Sequence, residues 1–423
     1  MNVLFVFGHE LTLGGHFKSG QALIRGLCAR GHHVAVIVTH GEDPLADEFK
    51  AVGASVFMLA PVVSCGRMQH AEASLRALIK TVSVVLSKKI DVIHSQDSVF
   101  SRAVYLAAIL LRKRLVFTHA AGEPQDLGTP AETAQVVYSR ELQDAYAANP
   151  RFTGGGGIYY LPQRIDTTVY YPENSARFAE LVSSEKPVVK IFMAIRIHPC
   201  KQAWLETLFS IVQNTEAAAF PCRVEFTVAG SGPLLEEMCL RAAQIRHPEI
   251  SIRFIGPVTK PAEIRALINQ SHFVVGNARG IMEAMACGCP VIVLGEQGEA
   301  ELVTAENIDR IAYYNFSGRH LRGAEGCLFA PVLMKVLQEL HKTTACAEFL
   351  RDYAGKNLSH ETGAEKLEEI YKNSRTTAGF GSSYLRWESE RRALKKRLKL
   401  RSVATAHPNG SAVPDLILKE KIK

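Results

Sequence analysis

Two basic residues, Arg196 and Lys201, lie where the sequence passes from an apolar run to an amphipathic segment. Arg196 follows residues 188–195, which predict a β-strand, and Lys201 comes five residues later, at the start of a predicted helix. Two cations beside the free N–H groups of a helix start suit a diphosphate, because they supply positive charge where a leaving phosphate gains negative charge. The alternative is a solvated loop with two surface cations. The position at the carboxyl end of a strand favours the anion site.

One acid, Glu283, and a nearby base, Arg279, lie in the small-residue block that follows the apolar run Phe273–Gly276. We predict that Glu283 opens a helix, where its carboxylate can accept two hydrogen bonds from a ribose diol. Its other role, compatible with the first, is that of a first-turn acid that offsets the helix dipole. Arg279 could pair with Glu283 or reach the phosphates, and the residues alone leave both possibilities open.

Glycines at two further strand ends would let the backbone approach a ligand closely. Residues 228–238 predict a strand, a Gly-x-Gly turn and a helix, and Gly256 closes the predicted strand 251–256. Such turns also occur merely as tight connections. On the residues alone the two interpretations stand equal.

Short β-like runs alternate with amphipathic helices along the chain, which predicts parallel α/β units that position these residues. The predicted strands are 2–8, 33–39, 54–60, 91–96, 114–120 and 158–162 in the first half and 188–195, 224–230, 251–256, 273–276 and 290–295 in the second. A helix from His16 to Arg30 is expected to end at Gly31, which favours a left-handed cap. We therefore predict an α/β fold of two tandem, doubly wound, Rossmann-like domains with an interdomain cleft.

The 423 residues are too many for one hydrophobic core. We place a first domain at 1–170 and a second at 171–360. A C-terminal helix at 361–375 is expected to pack back toward the first domain, and a basic tail at 376–423 is expected to be partly disordered.

Composition and charge limit the classes of function. A hydrophobic content of 47% with 22% charged residues is typical of a globular protein, and no apolar run is long enough to cross a membrane. The first residues predict a strand and not a signal peptide. The net charge of +7 lies within 376–423, so the body is neutral and we expect no nucleic-acid partner. Nine cysteines without a Cys-x-x-Cys pair predict reduced thiols in the cytoplasm.

Several segments resemble a known family in their order and spacing. In the second half they read RIHPCK (196–201), VAGSGPLLEEM (228–238), FIGPV (254–258) and EAMACGCPVIVLGEQGEAELV (283–303). In the first half they read LGGHFKSGQALIRGLCARGHHVAVIVT (13–39), IDVIHSQD (90–97), LVFTHAAG (115–122) and YYLPQRIDTTVYYP (159–172). From 2 to 374 the chain is similar to family 4 of the retaining nucleotide-sugar glycosyltransferases, which implies their GT-B fold.

The resemblance implies roles for the second-domain residues. Arg196 and Lys201 would hold the donor diphosphate and stabilise the nucleoside diphosphate as it leaves. Glu283 would bind the ribose, and the backbone near Gly256 and Val258 would contact the base.

In the first domain, Gly14 and Gly15 would let the acceptor-side loop approach the donor, and His119 would hydrogen-bond the donor sugar. A single histidine is more often structural, so the role of His119 rests on the resemblance. The family uses no metal, and no Asp-x-Asp pair ends a strand here. We therefore expect no metal and no cofactor, with arginine and lysine neutralising the charge and the nucleotide sugar acting as substrate.

One departure from the family pattern concerns the donor sugar. The family usually carries two glutamates, and the first of them touches this sugar. Counting back from Glu283 reaches Val275, and the residues next to it are not acidic. Some relatives have a Val-Gly-x-Gly-Arg version of the loop, so we interpret the chain as a variant in which Arg279 contributes to donor binding. Gln163 also replaces the usual linker asparagine.

The tail segment 385–401 carries eight basic and two acidic residues, and Leu394 and Leu398 are spaced to share one helical face. A basic amphipathic helix of this kind fits an anionic membrane surface. The alternative is a solvated or disordered basic extension.

The predicted function is transfer of a sugar from a nucleotide-sugar donor to an acceptor hydroxyl, metal-independent and with retention of configuration. We expect a glycan or lipid-linked acceptor in surface polysaccharide or lipopolysaccharide assembly. The expected location is the cytoplasm, peripheral at the inner face of the membrane. The missing acid leaves open a non-catalytic protein of the same fold that binds nucleotide sugar or a partner. A nucleotide-sugar epimerase is a third hypothesis, disfavoured by the lack of clustered acids near the phosphate site.

Overall fold

The computed structural model describes residues 1–404 apart from 11–13, 40–42, 60–66, 121–128, 174–176, 180, 182–183, 185, 215–219, 325–327, 341 and 343–344. The disorder predicted for the end of the tail, 405–423, lies outside the described residues.

Seven strands form the sheet of the first domain, and all of their pairings are parallel. They are β1 (Asn2–Glu10), β2 (His33–Thr39), β3 (Ser55–Leu59), β4 (Val92–Ser95), β5 (Arg114–His119), β6 (Ala134–Val137) and β7 (Ile158–Tyr160). Their spatial order is β3-β2-β1-β4-β5-β6-β7. The sequence predicted all of them except β6, which has only four residues, two of them β-branched.

Helices cover both faces of this sheet. Over one face pack α1 (Gly15–Ala29) and α2 (Asp43–Ala51), with Phe5, Phe17 and Phe49 in the shared core. Over the other face pack α3 (Arg67–Ser87) and α4 (Ser101–Leu110). A fifth helix, α5 (Arg140–Ala147), follows β6. As predicted, α1 ends before Gly31, whose φ of +80° is left-handed.

Six strands form the sheet of the second domain. They are β8 (Val188–Ala194), β9 (Arg223–Ala229), β10 (Ile250–Gly256), β11 (Phe273–Gly276), β12 (Val291–Leu294) and β13 (Ala300–Leu302). Their order is β10-β9-β8-β11-β12-β13, and only the β12–β13 pairing is antiparallel. The three-residue β13 was not predicted, because its alternating Ala-Glu-Leu is too short to show a period.

The helices after β8 continue the same alternation. They are α6 (Gln202–Asn214), α7 (Leu235–Ala243), α8 (Pro261–Asn269), α9 (Arg279–Ala286), α10 (Ile308–Tyr313), α11 (Phe329–Gln338) and α12 (Ala347–Leu358). In both sheets the chain winds outward to one edge and then crosses to the other side of the first strand. The two-domain, doubly wound α/β fold predicted from the sequence is therefore confirmed.

The chain passes between the domains twice. The two passages are the linker after β7 and the junction of α12 with α13 (His360–Asn373), and they pair at Ile165. The Ile165 N–H donates to the carbonyl of Leu358 (2.8 Å), and the Ile165 carbonyl accepts from the N–H of His360 (2.9 Å). Helix α13 then packs on α1. At Gly26 of α1 a Cβ atom would lie 2.5 Å from the carbonyl oxygen of His360, so only glycine allows this approach.

The last helix, α14 (Gly381–Ala404), begins on the first domain. The Thr377 hydroxyl just before it donates to the carbonyl of Ala108 in α4 (2.6 Å). The Trp387 side chain is buried against Tyr105 of the same helix. The first part of the basic tail therefore belongs to the packed structure of the first domain.

Candidate functional site

The sheet of the second domain reverses its winding direction between β8 and β11, which lie side by side. Ligands of doubly wound folds bind outside the carboxyl ends of the strands at such a reversal. Arg196 follows β8, and Arg279 follows β11, so the structure brings the two predicted basic segments to this point.

Lys201 is held in place by an aromatic ring. Its Nζ lies 4.0 Å from the centre of the Trp204 ring, and the Trp204 indole N–H donates to the carbonyl of Gly295 at the end of β12 (2.6 Å). Burial lowers the pKa of Lys201; the neighbouring Cys200 and Glu296 oppose this shift, and Arg196 adds to it. The half-buried lysine and the exposed Arg196 thus repel each other weakly, and an anion bound between them would relieve that repulsion.

The Gly-x-Gly turn after β9 supports the Arg196 segment. A Cβ atom at Gly230 would lie 1.8 Å from the carbonyl oxygen of Ile195, and one at Gly232 would lie 2.0 Å from that of Ile197. The carbonyl between the two glycines, that of Ser231, accepts from the N–H of Ile197 (2.9 Å). The motif that was ambiguous in the sequence therefore has a definite structural use, which is to let two loops pack backbone to backbone on either side of Arg196.

The turn also reaches the next strand end. The Gly230 N–H donates to the carbonyl of Gly256 (2.8 Å). Gly256 has a φ of +76°, and no described atom lies within 4 Å of the place that a Cβ atom would take there. Val258, two residues further on, is half-buried. The backbone of 256–258 is thus fixed beside the Gly-x-Gly turn and leaves open space at the glycine.

Glu283 lies in the second turn of α9, since the helix begins at Arg279, and the prediction that Glu283 opens the helix is wrong. The Arg279 Nε donates to Glu283 Oε1 at 2.7 Å, and both side chains are nearly buried, with 13% and 11% exposed. Burial, followed by the Glu283 carboxylate, holds the pKa of Tyr170 well above its usual range, and the Tyr170 hydroxyl hydrogen-bonds this carboxylate. Of the two roles left open for Arg279, the structure shows the pairing.

An unusual backbone turn starts α9 at Arg279. Ala278 has φ +48° and ψ −124°, a region that side-chain-bearing residues rarely adopt, and its N–H donates to the carbonyl of Phe316 (2.6 Å). Asn315 and Phe316 also have positive φ angles, of 56° and 55°. Strained residues on both sides of one hydrogen bond thus fix where α9 begins.

Val275, at the position where the family usually carries its first glutamate, is buried in the core of the second domain.

The first domain approaches the same helix start. At Gly15, the first residue of α1 after Gly14, a Cβ atom would lie 3.6 Å from Cβ of Arg279 and 3.3 Å from Nε2 of Gln163. The Gln163 Oε1 is buried and has no hydrogen-bond partner among the described residues. The predicted glycine loop, the linker amide and the second-domain arginine therefore meet in one place.

His119 is at the carboxyl end of β5, where it was predicted, but protein groups occupy both of its ring nitrogens. Nε2 lies 2.7 Å from Gln135 Oε1 and 3.3 Å from the Thr129 hydroxyl, and Nδ1 lies 3.3 Å from the Tyr146 hydroxyl. Burial lowers the pKa of His119 to about 4, so the ring is neutral at physiological pH. In this conformation His119 could contact a donor sugar only by giving up one of these bonds.

A second set of contacts joins the two domains. The Tyr313 hydroxyl at the end of α10 donates to Asp144 Oδ2 of α5 (2.7 Å), and the Arg319 Nε donates to Glu141 Oε2 (2.8 Å). The sequence carries no signal for these pairs, because each joins residues from different domains. They show that the segment around Phe316, which sets the start of α9, also contacts the first domain.

A cavity of about 470 Å³ lies between β13 and α11, lined among others by Glu301, His320 and Lys335. None of the residues that line it belongs to the cleft described above. The strand-end geometry, rather than cavity size, locates the candidate site.

Comparison with protein families gives two matches. Residues 13–143 match the family described as Glycosyltransferase Family 4, and residues 189–314 match Glycosyl transferases group 1. The two matches fall on the two domains and together cover more than half of the chain. A comparison with curated proteins finds no match.

Solved structures share the fold at low sequence identity. HepE from Anabaena in complex with UDP and glucose has a TM-score of 0.59 at 14% identity, covering 88% of this chain and 99% of its own. A glycosyltransferase from Rickettsia africae has a TM-score of 0.61 at 14% identity, covering 88% and 97%. Sucrose-phosphate synthase from Thermosynechococcus elongatus has a TM-score of 0.56 at 13% identity, covering 88% and 98%.

The Arg279–Glu283 pair should be energetically coupled. We expect a double-mutant cycle of Arg279→Met and Glu283→Gln to give a coupling of about 1–3 kcal/mol in urea unfolding, because both charges are nearly buried. The matched control is Arg386 with Glu390 in α14, a pair of the same helical spacing at 3.7 Å with 76% and 45% of the side chains exposed. Its coupling should stay below about 0.5 kcal/mol. Equal couplings in the two cycles would contradict the assignment.

Proposed function

This chain is a glycosyltransferase of the family 4 type with the GT-B fold, and we propose that it moves a sugar from a nucleotide-sugar donor to an acceptor hydroxyl in the cleft between its domains. One observation carries the proposal: Lys201, held over Trp204, and Arg196 lie beside the reversal point of the second sheet, next to the helix that carries Glu283.

In the proposed reaction the two cations act on the leaving group. As the bond from the sugar to the diphosphate breaks, negative charge grows on the phosphate oxygens. Lys201 stabilises that charge because Trp204 holds it in position before the bond breaks, and the exposed Arg196 adds a second positive charge. We propose that this replaces a metal ion and that the sugar is transferred with retention of configuration.

The remaining groups bind the rest of the donor in this proposal. The Glu283 carboxylate, which Arg279 and Tyr170 hold in place, accepts from the ribose hydroxyls, and the backbone at Gly256 and Val258 faces the base. The absence of side chains at Gly14 and Gly15 lets the first domain approach the donor site closely, and Gly15 lies beside Arg279. Because Glu283 already accepts from Arg279, its orientation is set before the donor arrives.

We propose a glycan or lipid-linked acceptor, used in surface polysaccharide or lipopolysaccharide assembly by an enzyme at the cytoplasmic face of the membrane. Among the helices that the structure describes, none is both long enough and apolar enough to cross a bilayer. The basic segment 385–401 is the proposed contact with anionic lipid, and its side chains are described as far as Ala393.

The first experiment is a thermal-shift screen of UDP-, GDP- and ADP-sugars, followed by a transfer assay with the donor that stabilises the protein. UDP-sugars come first, since the similarly folded HepE has been solved with UDP-glucose. We expect Lys201→Ala to lower kcat/KM by roughly 100-fold or more, because it removes charge stabilisation that develops at the leaving phosphate. Lys372→Ala, at a surface lysine of α13 with 62% exposure, should leave kcat/KM unchanged. Stabilisation by no nucleotide sugar, or full activity of Lys201→Ala, would count against the proposal.

The pH dependence should report on Lys201. Since burial lowers the pKa of Lys201, its charge is fully present below that pKa and is lost as the pH rises through it, earlier than for an exposed lysine. We therefore expect kcat/KM for the donor to fall on the alkaline side. In Lys201→Arg this fall should disappear, because a guanidinium does not titrate in that range. An alkaline fall of the same position and size in Lys201→Arg would assign it to another group.

A further inference from the structure

Three helices, α3, α4 and α14, form one outer layer of the first domain. They share a core with the sheet, to which α3 contributes Val84, α4 contributes Val104 and α14 contributes Trp387. This layer lies on the opposite face of the sheet from α1 and α13. The outward sides of the three helices therefore form a continuous surface.

Large apolar side chains point outward along α3. Leu75 is 55% exposed, Ile79 61% and Leu86 61%, and their spacing of four and seven residues places them on one side of the helix. Single exposed apolar residues are common on protein surfaces, but an aligned row of three indicates an interaction site.

The neighbouring helices extend this surface. Leu110 at the end of α4 is 66% exposed, and Leu385 near the start of α14 is 70% exposed. Trp387, two residues after Leu385, is buried in the core of the first domain. Leu385 therefore points outward because Trp387 anchors the opposite side of α14 to the protein.

Basic residues outnumber acids around these apolar residues, and α3 itself contains one acid, Glu72. Between residues 73 and 90 and between 98 and 122 the sequence has no acid. Basic residues of the layer include Arg76, Lys80, Lys88, Lys89 and Arg112.

Three acids at the border of this surface are engaged. Asp91 accepts from the backbone N–H of Asn2 (2.8 Å), and the buried Glu388 accepts from Arg102 (2.7 Å). Glu390 lies 3.7 Å from Arg386. The surface thus presents apolar side chains in a positively charged surround.

We propose that this surface docks on an anionic lipid bilayer, with the leucines and isoleucine inserted among the lipid headgroups and the lysines and arginines against the anionic ones. An RNA partner would use the positive charge but would leave Leu75, Ile79 and Leu86 without an apolar environment. A second copy of the chain, packed on the same face, would bring like charges together. The proposal rests on the membrane location put forward above, but vesicle binding is measured without sugar transfer, so its failure is distinct from failure of the proposed reaction.

The test is co-sedimentation of the full chain with vesicles of phosphatidylcholine containing 30% phosphatidylglycerol, and with phosphatidylcholine alone. We expect binding to the anionic vesicles only. Leu75→Gln combined with Ile79→Gln and Leu86→Gln should lower the partition coefficient by roughly tenfold or more, because three apolar side chains no longer insert. Lys88→Glu combined with Lys89→Glu should lower it as well, through repulsion from the lipid.

The matched control is Leu240→Gln on α7 of the second domain, where an equally exposed leucine (62%) lies outside this surface. It should bind vesicles as the wild type does, and all variants should keep the wild-type unfolding midpoint, because the altered side chains are exposed. Undiminished binding of both the Leu75, Ile79 and Leu86 variant and the Lys88 and Lys89 variant would overturn the proposal and assign membrane binding to the tail alone. The proposal would also be overturned if the wild type were a dimer that the Leu75, Ile79 and Leu86 changes dissociate. RNA that competes with the vesicles for the protein would overturn it as well.

Discussion

The cleft depends on the guanidinium of Arg279. It donates from Nε to the Glu283 carboxylate within its own helix and from Nη1 to the carbonyl of Arg164 in the linker (2.8 Å). The backbone N–H of Arg164 in turn donates to the Ser19 hydroxyl of α1 (2.9 Å). One short path of hydrogen bonds therefore connects α9, the linker and the first domain. Any change in the angle between the domains has to alter this path.

Arg164 shows how tightly the linker is packed. Its side chain is fully buried, its Nη1 donates to the carbonyl of Asn357 (2.7 Å), and its Nε and Nη2 have no partner among the described residues. Burial lowers the pKa of Arg164 to about 10, and the nearby Tyr160 and Tyr138 oppose this shift. A buried cation without a carboxylate is costly, so the linker is a place where stability is sacrificed.

The parts of the fold that the sequence predicts are those that depend on local pattern. Continuous apolar runs identified the long strands, and the sequence placed Arg196 correctly at the end of β8. It failed where the decisive contact is distant in the chain. Glu283 was predicted to open its helix, whereas the start is set at Ala278 by the carbonyl of Phe316. The burial of Trp387 against Tyr105 is likewise invisible without the fold. It is this burial that turns Leu385 outward.

We propose above all that Lys201 and Arg196 bind the diphosphate of the donor. Calorimetric titration of the wild type and Lys201→Ala with the nucleoside diphosphate of the preferred donor, and with its nucleoside, tests this directly. The wild type should bind the diphosphate at least tenfold more tightly than the nucleoside, and Lys201→Ala should lose most of that difference while binding the nucleoside equally well. If Lys201→Ala retained the full preference for the diphosphate, the phosphate site would lie elsewhere and the account of the cleft would be contradicted.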